Sequence, residues 1–120
     1  MSPPPLTGEG TDIGEKNMEN EIILHEIRSF LDGSGRLTAL PAKYKKKLLA
    51  LYYLAEKVEE NRHYTESEIN DLLDEWSLFH DPATLRREMF NKRLLNRADN
   101  GSEYWKGELL PPEEYMAKYL

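Results

Sequence analysis

Two amphipathic helices are predicted next to each other between residues 64 and 92. The first has the i, i+3, i+4, i+7 spacing of a single buried stripe, formed by Ile69, Leu72, Leu73 and Trp76. Thr65 and Glu68 stand in the Ser/Thr-x-x-Glu relation of a capping box, in which each side chain satisfies a backbone N–H left free by the first turn. The pattern therefore predicts a helix that begins just after Thr65.

The second of these helices is predicted over residues 82–92. Asp81 supplies a capping carboxylate, and Pro82 stands at the first helical position, where its missing N–H costs nothing. At 100° per residue, the side that we expect to be buried is defined by Leu85, Met89 and Phe90. The opposite side then presents Ala83, Thr84, Arg87 and Asn91.

Three further elements complete the predicted domain. Asn100-Gly101 lies between short apolar runs and predicts a hairpin over residues 94–105, and His63-Tyr64 is the expected short strand that pairs with it. The longest helix is predicted over residues 41–59, with an inward stripe of Tyr44, Leu48, Leu51, Tyr52, Ala55 and Val58. Helix, strand, helix, helix and hairpin is the order of a winged helix-turn-helix. We predict a mainly α fold of this kind with a small β-hairpin.

The flanks add an extra N-terminal helix and a short C-terminal helix. Residues 1–17, with three consecutive prolines, predict a disordered tail before a helix over residues 18–32. That helix has one apolar face and stops before a glycine-rich turn; the face consists of Ile23, Ile27, Phe30 and Leu31. The domain then spans residues 18–106. Residues 107–120 form a tail whose short helix groups Tyr115, Met116, Tyr119 and Leu120, a face that either the domain itself or a second subunit should cover.

Composition limits the classes of function. A chain of 120 residues, 39% hydrophobic and 32% charged, fits one soluble globular domain with appendages. The absence of cysteine excludes disulfides, thiolate zinc sites and cysteine nucleophiles, and the three histidines lack metal-site spacing. No apolar run reaches the roughly 18–20 residues of a membrane span, and no secretory signal pattern opens the chain. We expect a cytoplasmic protein with no cofactor and no membrane partner.

The net charge of −6 is unevenly distributed. Residues 36–106 carry thirteen bases and twelve acids, so the acidity lies mainly in the flanks. A neutral domain can bind DNA through a local patch, although a strongly basic footprint is absent.

Four motifs with specific spacing fall within residues 36–106. They are L-P-x-K-x-K-K in residues 40–47, R-x-Y-[ST]-x-x-E-[IV]-N in residues 62–70, D-x-x-x-L-R-R in residues 81–87, and L-L-x-R…G-S-x-Y-W in residues 94–105. Together they resemble a bacterial family known only as a domain of unknown function, found alone or appended to winged-helix repressors of the arsenic-metalloregulator class. The resemblance implies a winged-helix-like domain associated with transcriptional regulation, and it carries over no catalytic residue or ligand. Arg93 departs from the pattern, because family members often have a glycine there.

A nucleic-acid face is predicted on the second helix and the hairpin. In a winged helix-turn-helix, the helix after the turn lies in the major groove, and the wing contacts the backbone or minor groove. Arg87 suits a guanine edge or a phosphate, Asn91 an adenine or a phosphate, and Thr84 a phosphate or a thymine methyl. The full set of predicted contacts is Thr84, Arg87, Asn91, Lys92, Arg93, Arg97, Lys43 and Lys46. The alternative is an ordinary solvated surface, above all for the lysine run.

Other residues are given structural roles. Arg86 projects between Leu85 and Phe90, so we expect it to pair with an acid of the preceding helix, namely Asp71, Asp74 or Glu75. The remaining structural residues are Thr65, Glu68, Asp81 and Trp76.

The sequence thus predicts a small transcriptional regulator or DNA-binding accessory domain. It would bind duplex DNA through the helix 82–92 and the wing 94–105, alone or as a homodimer. The alternative is a protein–protein interaction module on the same scaffold, favoured by the acidic flanks and by Asp99 and Glu103 beside the hairpin turn. No glycine-rich phosphate loop, nucleophile elbow or acid pair at motif spacing is present, so we predict that the protein is not an enzyme.

Overall fold

A computed structural model describes residues 21–119, in which helices surround a small antiparallel sheet. Residues 21–27 are helical (α1) and lead into a 3₁₀ turn, Arg28–Phe30. The other helices are α2 (Tyr44–Ala55), α3 (Glu66–Glu75), α4 (Pro82–Asn91) and α5 (Pro112–Tyr119). The strands are β1 (His63–Tyr64), β2 (Leu95–Arg97) and β3 (Tyr104–Lys106). The mainly helical class is confirmed, whereas the predicted tail over residues 1–17 and the residue Leu120 lie outside the described residues.

Helix α2 forms the centre of the core. All eight of its residues from 48 to 55 are buried, because neighbouring elements cover the helix on every side. It is shorter than predicted, since it begins at Tyr44 after an extended Lys43 and ends at Ala55. Val58 is buried as predicted, but Tyr44 is 45% exposed. The predicted inward position of Tyr44 is wrong, because this first-turn residue lies at the edge of the packed region.

The capping residues predicted for α3 and α4 occupy their expected positions. The Glu68 N–H donates to the Thr65 hydroxyl at 3.1 Å, and the Thr65 N–H donates to the Glu68 carboxylate at 2.8 Å. The Thr84 N–H donates to the Asp81 carboxylate at 3.3 Å, with Pro82 following the cap. The predicted stripe of α3 packs inward, with two residues fully buried and two half-buried: Ile69, Leu73, Leu72 and Trp76.

The buried side of α4 is narrower than predicted. Leu85 and Met89 are fully buried, but Phe90 is 36% exposed. The prediction for Phe90 is therefore wrong. Phe90 lies 100° around the helix from Met89, and this rotation carries it from the core to the side next to the hairpin.

The three strands form one antiparallel sheet in the order β1-β3-β2. His63 is paired with Trp105, and Tyr64 with Tyr104, so the short strand predicted to join the hairpin is confirmed. At the hairpin turn the Gly101 N–H donates to the Ala98 carbonyl at 2.8 Å, and Gly101 has a φ of +75°, which glycine tolerates without strain.

Both flanking helices pack on the central helix or its neighbours. Ile23 and Ile27 of α1 are buried, as the apolar spacing predicted. In α5 the Tyr115 ring lies 5.3 Å from the Tyr52 ring of α2, between centroids, and is 2% exposed. The sequence left open whether the domain itself or a second subunit covers the C-terminal apolar face. At Tyr115 the domain itself covers it. Within residues 21–119 no helix is long and apolar enough to cross a bilayer.

Candidate nucleic-acid interface

A groove of about 420 Å³ runs between α4 and the β2–β3 hairpin. Its charged and amide side chains are three arginines, two asparagines and one glutamate: Arg86, Arg87, Arg97, Asn91, Asn100 and Glu66. The structure thus brings together Arg87, Asn91 and Arg97, three of the residues predicted to contact nucleic acid.

Arg87 and Asn91 are positioned by the regular turn of α4. They are four residues apart, so their side chains lie one above the other on the same helix face. Both are exposed, while Leu85 and Met89 on the other face hold the helix in the core. This face is polar and accessible, as a surface that binds from solution must be.

Arg86 precedes Arg87 on α4, and this one-residue difference turns its side chain toward the protein interior. There it contacts α3 and β3. Its guanidinium donates a hydrogen bond to the side-chain oxygen of Asn70 on α3. The guanidinium carbon also lies 5.7 Å from the centroid of the Tyr104 ring on β3. The predicted partner was an acid of α3, and that prediction is wrong. The partner is a neutral amide, so the positive charge of Arg86 is not cancelled at the groove.

Arg97 reaches the groove from β2. It is paired opposite Tyr104, so its side chain shares the face of the sheet that contains Tyr104. The guanidinium carbon lies 4.8 Å above the centroid of the exposed Phe90 ring. Phe90 therefore supports Arg97 through a cation–π contact across the groove.

The groove is locally basic within an acidic chain. Its lining carries three arginines against Glu66, whereas the whole chain has a net charge of −6. Glu103, which sequence reasoning counted against phosphate binding, is hydrogen-bonded to His63. His63 stacks on Trp105, 4.8 Å between ring centroids, on the face of the sheet opposite to Tyr104. The Glu103 carboxylate is thus bound on the other face of the sheet.

Comparison with known families identifies the chain. Residues 36–106 match the family described as "Uncharacterized protein conserved in bacteria" (DUF2087). The chain belongs to this family. Comparison with curated proteins and comparison with solved structures gave no match. The matched range includes every residue that lines the groove, so the groove belongs to the family domain and not to the flanks.

The other predicted contact residues lie away from the groove. Lys92 approaches Glu88, with Nζ 3.3 Å from one carboxylate oxygen, and Lys47 approaches the other oxygen at 3.4 Å. Burial raises the pKa of Glu88, but the Lys92 hydrogen bond and the Lys47 charge outweigh it, so the pKa is lowered overall. Lys92 and Arg93 line a separate pocket beside α5. The groove lining also lacks Thr84, Lys43 and Lys46.

Five groove residues were missed as site residues by sequence reasoning. They are Glu66, Phe90, Asn100, Gly101 and Tyr104. Sequence reasoning gave each of them a cap, core or turn role, or no role, because the neighbouring residues in the chain were enough to account for its presence. Only the packing of the hairpin against α4 places them beside Arg87, and no short-range pattern encodes that contact.

Proposed function

We propose that this domain is a winged helix that binds duplex DNA through α4 and the β2–β3 hairpin, as small transcriptional regulators do. The observation that carries the proposal is the groove that gathers Arg87, Asn91 and Arg97 on an otherwise acidic protein. Because DNA affinity is dominated by contacts to phosphate, a local cluster of arginines is the feature that such a site requires.

The order of elements supports this assignment. Helix α2, strand β1, helices α3 and α4, and the two hairpin strands follow one another as in a winged helix-turn-helix. The sheet order β1-β3-β2 places the short first strand against the hairpin. In this arrangement α4 is the recognition helix that enters the major groove, and the hairpin is the wing.

The side chains suit distinct parts of a duplex. An arginine binds guanine in a bidentate manner and an asparagine binds adenine, which are the roles open to Arg87 and Asn91 on α4. Arg97, supported by Phe90, suits a backbone phosphate next to the hairpin. A single module of this size buries a small interface, so high specificity requires a second copy or a fused module.

The test is a DNA titration over a range of KCl concentrations. Fluorescence anisotropy of a labelled duplex gives the slope of log affinity against log salt. Arg87→Gln and Arg97→Gln should each reduce that slope by about 0.9 if each arginine neutralises one phosphate. Arg36→Gln, an exposed arginine outside the groove, is the matched control. Unchanged affinity and slope in both groove variants would contradict the proposal.

A protein-binding module on the same scaffold is the second candidate, and Phe90 favours it. Phe90 is partly exposed and lies against the guanidinium of Arg97. Aromatic and arginine side chains of this kind are common anchors in protein interfaces. Purification from native lysate distinguishes the two. A stoichiometric protein partner that Phe90→Ala releases, with no co-purified nucleic acid, would support this candidate against DNA binding.

A further inference from the structure

A second pocket, of about 240 Å³, lies where the end of α4, strand β2 and helix α5 meet. It shares no lining residue with the groove described above. Its polar groups come from Lys92 and Arg93 after α4, Asn96 on β2, Glu108, and from Tyr115, Lys118 and Tyr119 on α5. The pocket is therefore a separate site, to which neither the family nor the proposed function assigns a role.

Tyr115 provides a buried polar group without a partner. The residue is 2% exposed, and within residues 21–119 its hydroxyl makes no hydrogen bond. Buried hydroxyls are paired in most proteins, and an unpaired one calls for an explanation such as an absent ligand. Burial raises the pKa of Tyr115 above its ordinary value, so the hydroxyl remains a hydrogen-bond donor at neutral pH.

The pocket lining carries positive charge that is not engaged in ion pairs. Arg93 and Lys118 are exposed and have no ion-pair partner in the described part of the chain. The lining contains one acid, Glu108, against Arg93, Lys118 and the already paired Lys92. An anion placed in the pocket would lie beside two cations without ion-pair partners and next to Tyr115, whose buried hydroxyl has no partner in residues 21–119.

Arg93 is held there in an unfavourable backbone conformation. Its φ is +62°, in the left-handed region where glycine is favoured and other residues are strained. Backbone strain of this kind clusters at functional sites, and here it accompanies a guanidinium that lines the pocket.

We propose that this pocket binds a small organic carboxylate with an apolar body. The carboxylate would accept hydrogen bonds from the Tyr115 hydroxyl and the Arg93 guanidinium, with Lys118 adding charge. The apolar body would lie against Leu94, Leu110 and the Tyr119 ring, which form the rest of the wall. Sites for drug-sized ligands have volumes of roughly 300–1,000 Å³, so this pocket suits a molecule about as large as benzoate.

The test is a titration of the full chain with sodium benzoate, followed by amide NMR spectra at constant ionic strength. We expect saturable shifts at Asn96, Lys118 and Tyr119, with a Kd of about 1 mM or tighter. Inorganic phosphate, a compact anion, and benzyl alcohol, a neutral relative of similar shape, should both bind more weakly. The readout involves no DNA, so its failure is distinct from a failure of the proposed DNA binding.

Two variants that preserve the fold test the assigned contacts. Arg93→Gly removes the guanidinium at a position that suits glycine, and Tyr115→Phe keeps the ring but removes the hydroxyl. Each should weaken benzoate binding by about tenfold, since each removes a charge-assisted hydrogen bond. Arg87→Gln, in the other groove, is the control and should leave benzoate affinity unchanged. The proposal is overturned if shifts do not saturate, if both pocket variants bind benzoate like the wild type, or if phosphate binds as tightly as benzoate.

Discussion

The guanidinium of Arg86 on α4 donates a hydrogen bond to the side-chain oxygen of Asn70 on α3. Because both side chains are half-buried, this bond ties the two helices together where solvent competes only in part. The first residue of the Arg86-Arg87 pair thus holds the helices together, while the second faces solvent.

Arg86→Ala should lower the free energy of unfolding by about 1–3 kcal/mol, since it leaves the Asn70 amide with an unpaired oxygen and removes packing against Tyr104. Urea denaturation followed by circular dichroism measures the change. Arg87→Ala is the neighbouring control and should change stability by less than about 0.5 kcal/mol. Equal losses in the two variants would show that the Arg86–Asn70 bond does not stabilise the fold.

Arg93→Gly should raise the free energy of unfolding by about 1 kcal/mol, because glycine relieves the left-handed strain. The position is the αL residue of a Schellman motif, in which the Arg93 N–H donates to the Phe90 carbonyl at 3.0 Å and the Leu94 N–H to the Met89 carbonyl at 2.8 Å. Arg93→Val should destabilise, since a β-branched residue tolerates this φ poorly. Thermal melts of the three proteins give the order, and a glycine variant less stable than the wild type would contradict the argument.

Gly107→Ala should destabilise the domain by about 1–3 kcal/mol, because the added methyl group must displace backbone. A Cβ at this position would overlap the carbonyl oxygen of Arg93 and lie 3.0 Å from the carbonyl carbon of Leu94. Gly33→Ala is the matched control, since a Cβ there meets nothing within 4 Å. It should be neutral or stabilise by up to about 1 kcal/mol, because alanine has less freedom in the unfolded chain. Urea midpoints that fall equally for both variants would disprove the close approach at Gly107.

Glu88 should make the domain more stable above pH 4.5, its ordinary pKa, than at acidic pH. Burial raises this pKa, but the Lys92 hydrogen bond and the Lys47 charge together lower it by more than burial raises it. The pKa in the folded state therefore lies below the pKa in the unfolded state. The stabilisation is complete above the unfolded value and is lost as the pH falls through the folded value. Glu88→Gln should therefore be less stable than the wild type near neutral pH, and the difference should shrink in acid. Glu60→Gln, an exposed substitution, should show no such pH-dependent difference.

Features encoded within a few residues could be predicted from the sequence. The Thr65–Glu68 capping box, the Asp81 cap with Pro82, and the hairpin turn at Gly101 each depend on groups at most three residues apart in the chain. The buried stripe of α3 follows from helical periodicity alone. Such interactions form wherever the local backbone adopts its preferred conformation, so the order of helices and strands was predictable.

Side-chain partners across elements were less accessible to sequence reasoning. Phe90 was expected in the core and Arg86 beside an acid, yet Phe90 supports Arg97 and Arg86 binds Asn70. Both errors arose because a helical stripe identifies a direction but not the surface that faces it. Which residues occupy that facing surface depends on how α3 and the hairpin pack against α4.

The sequence by itself determined the order of the helices and the hairpin, and it determined that Arg87 and Asn91 share an exposed helix face. Only the tertiary structure decided that Arg97 joins them in a groove, while Arg93 lies in a second pocket with the Tyr115 hydroxyl. The physical reason is the range of the interactions. Caps and periodicity act within one or two helical turns, whereas both sites are formed by packing between segments distant in the chain.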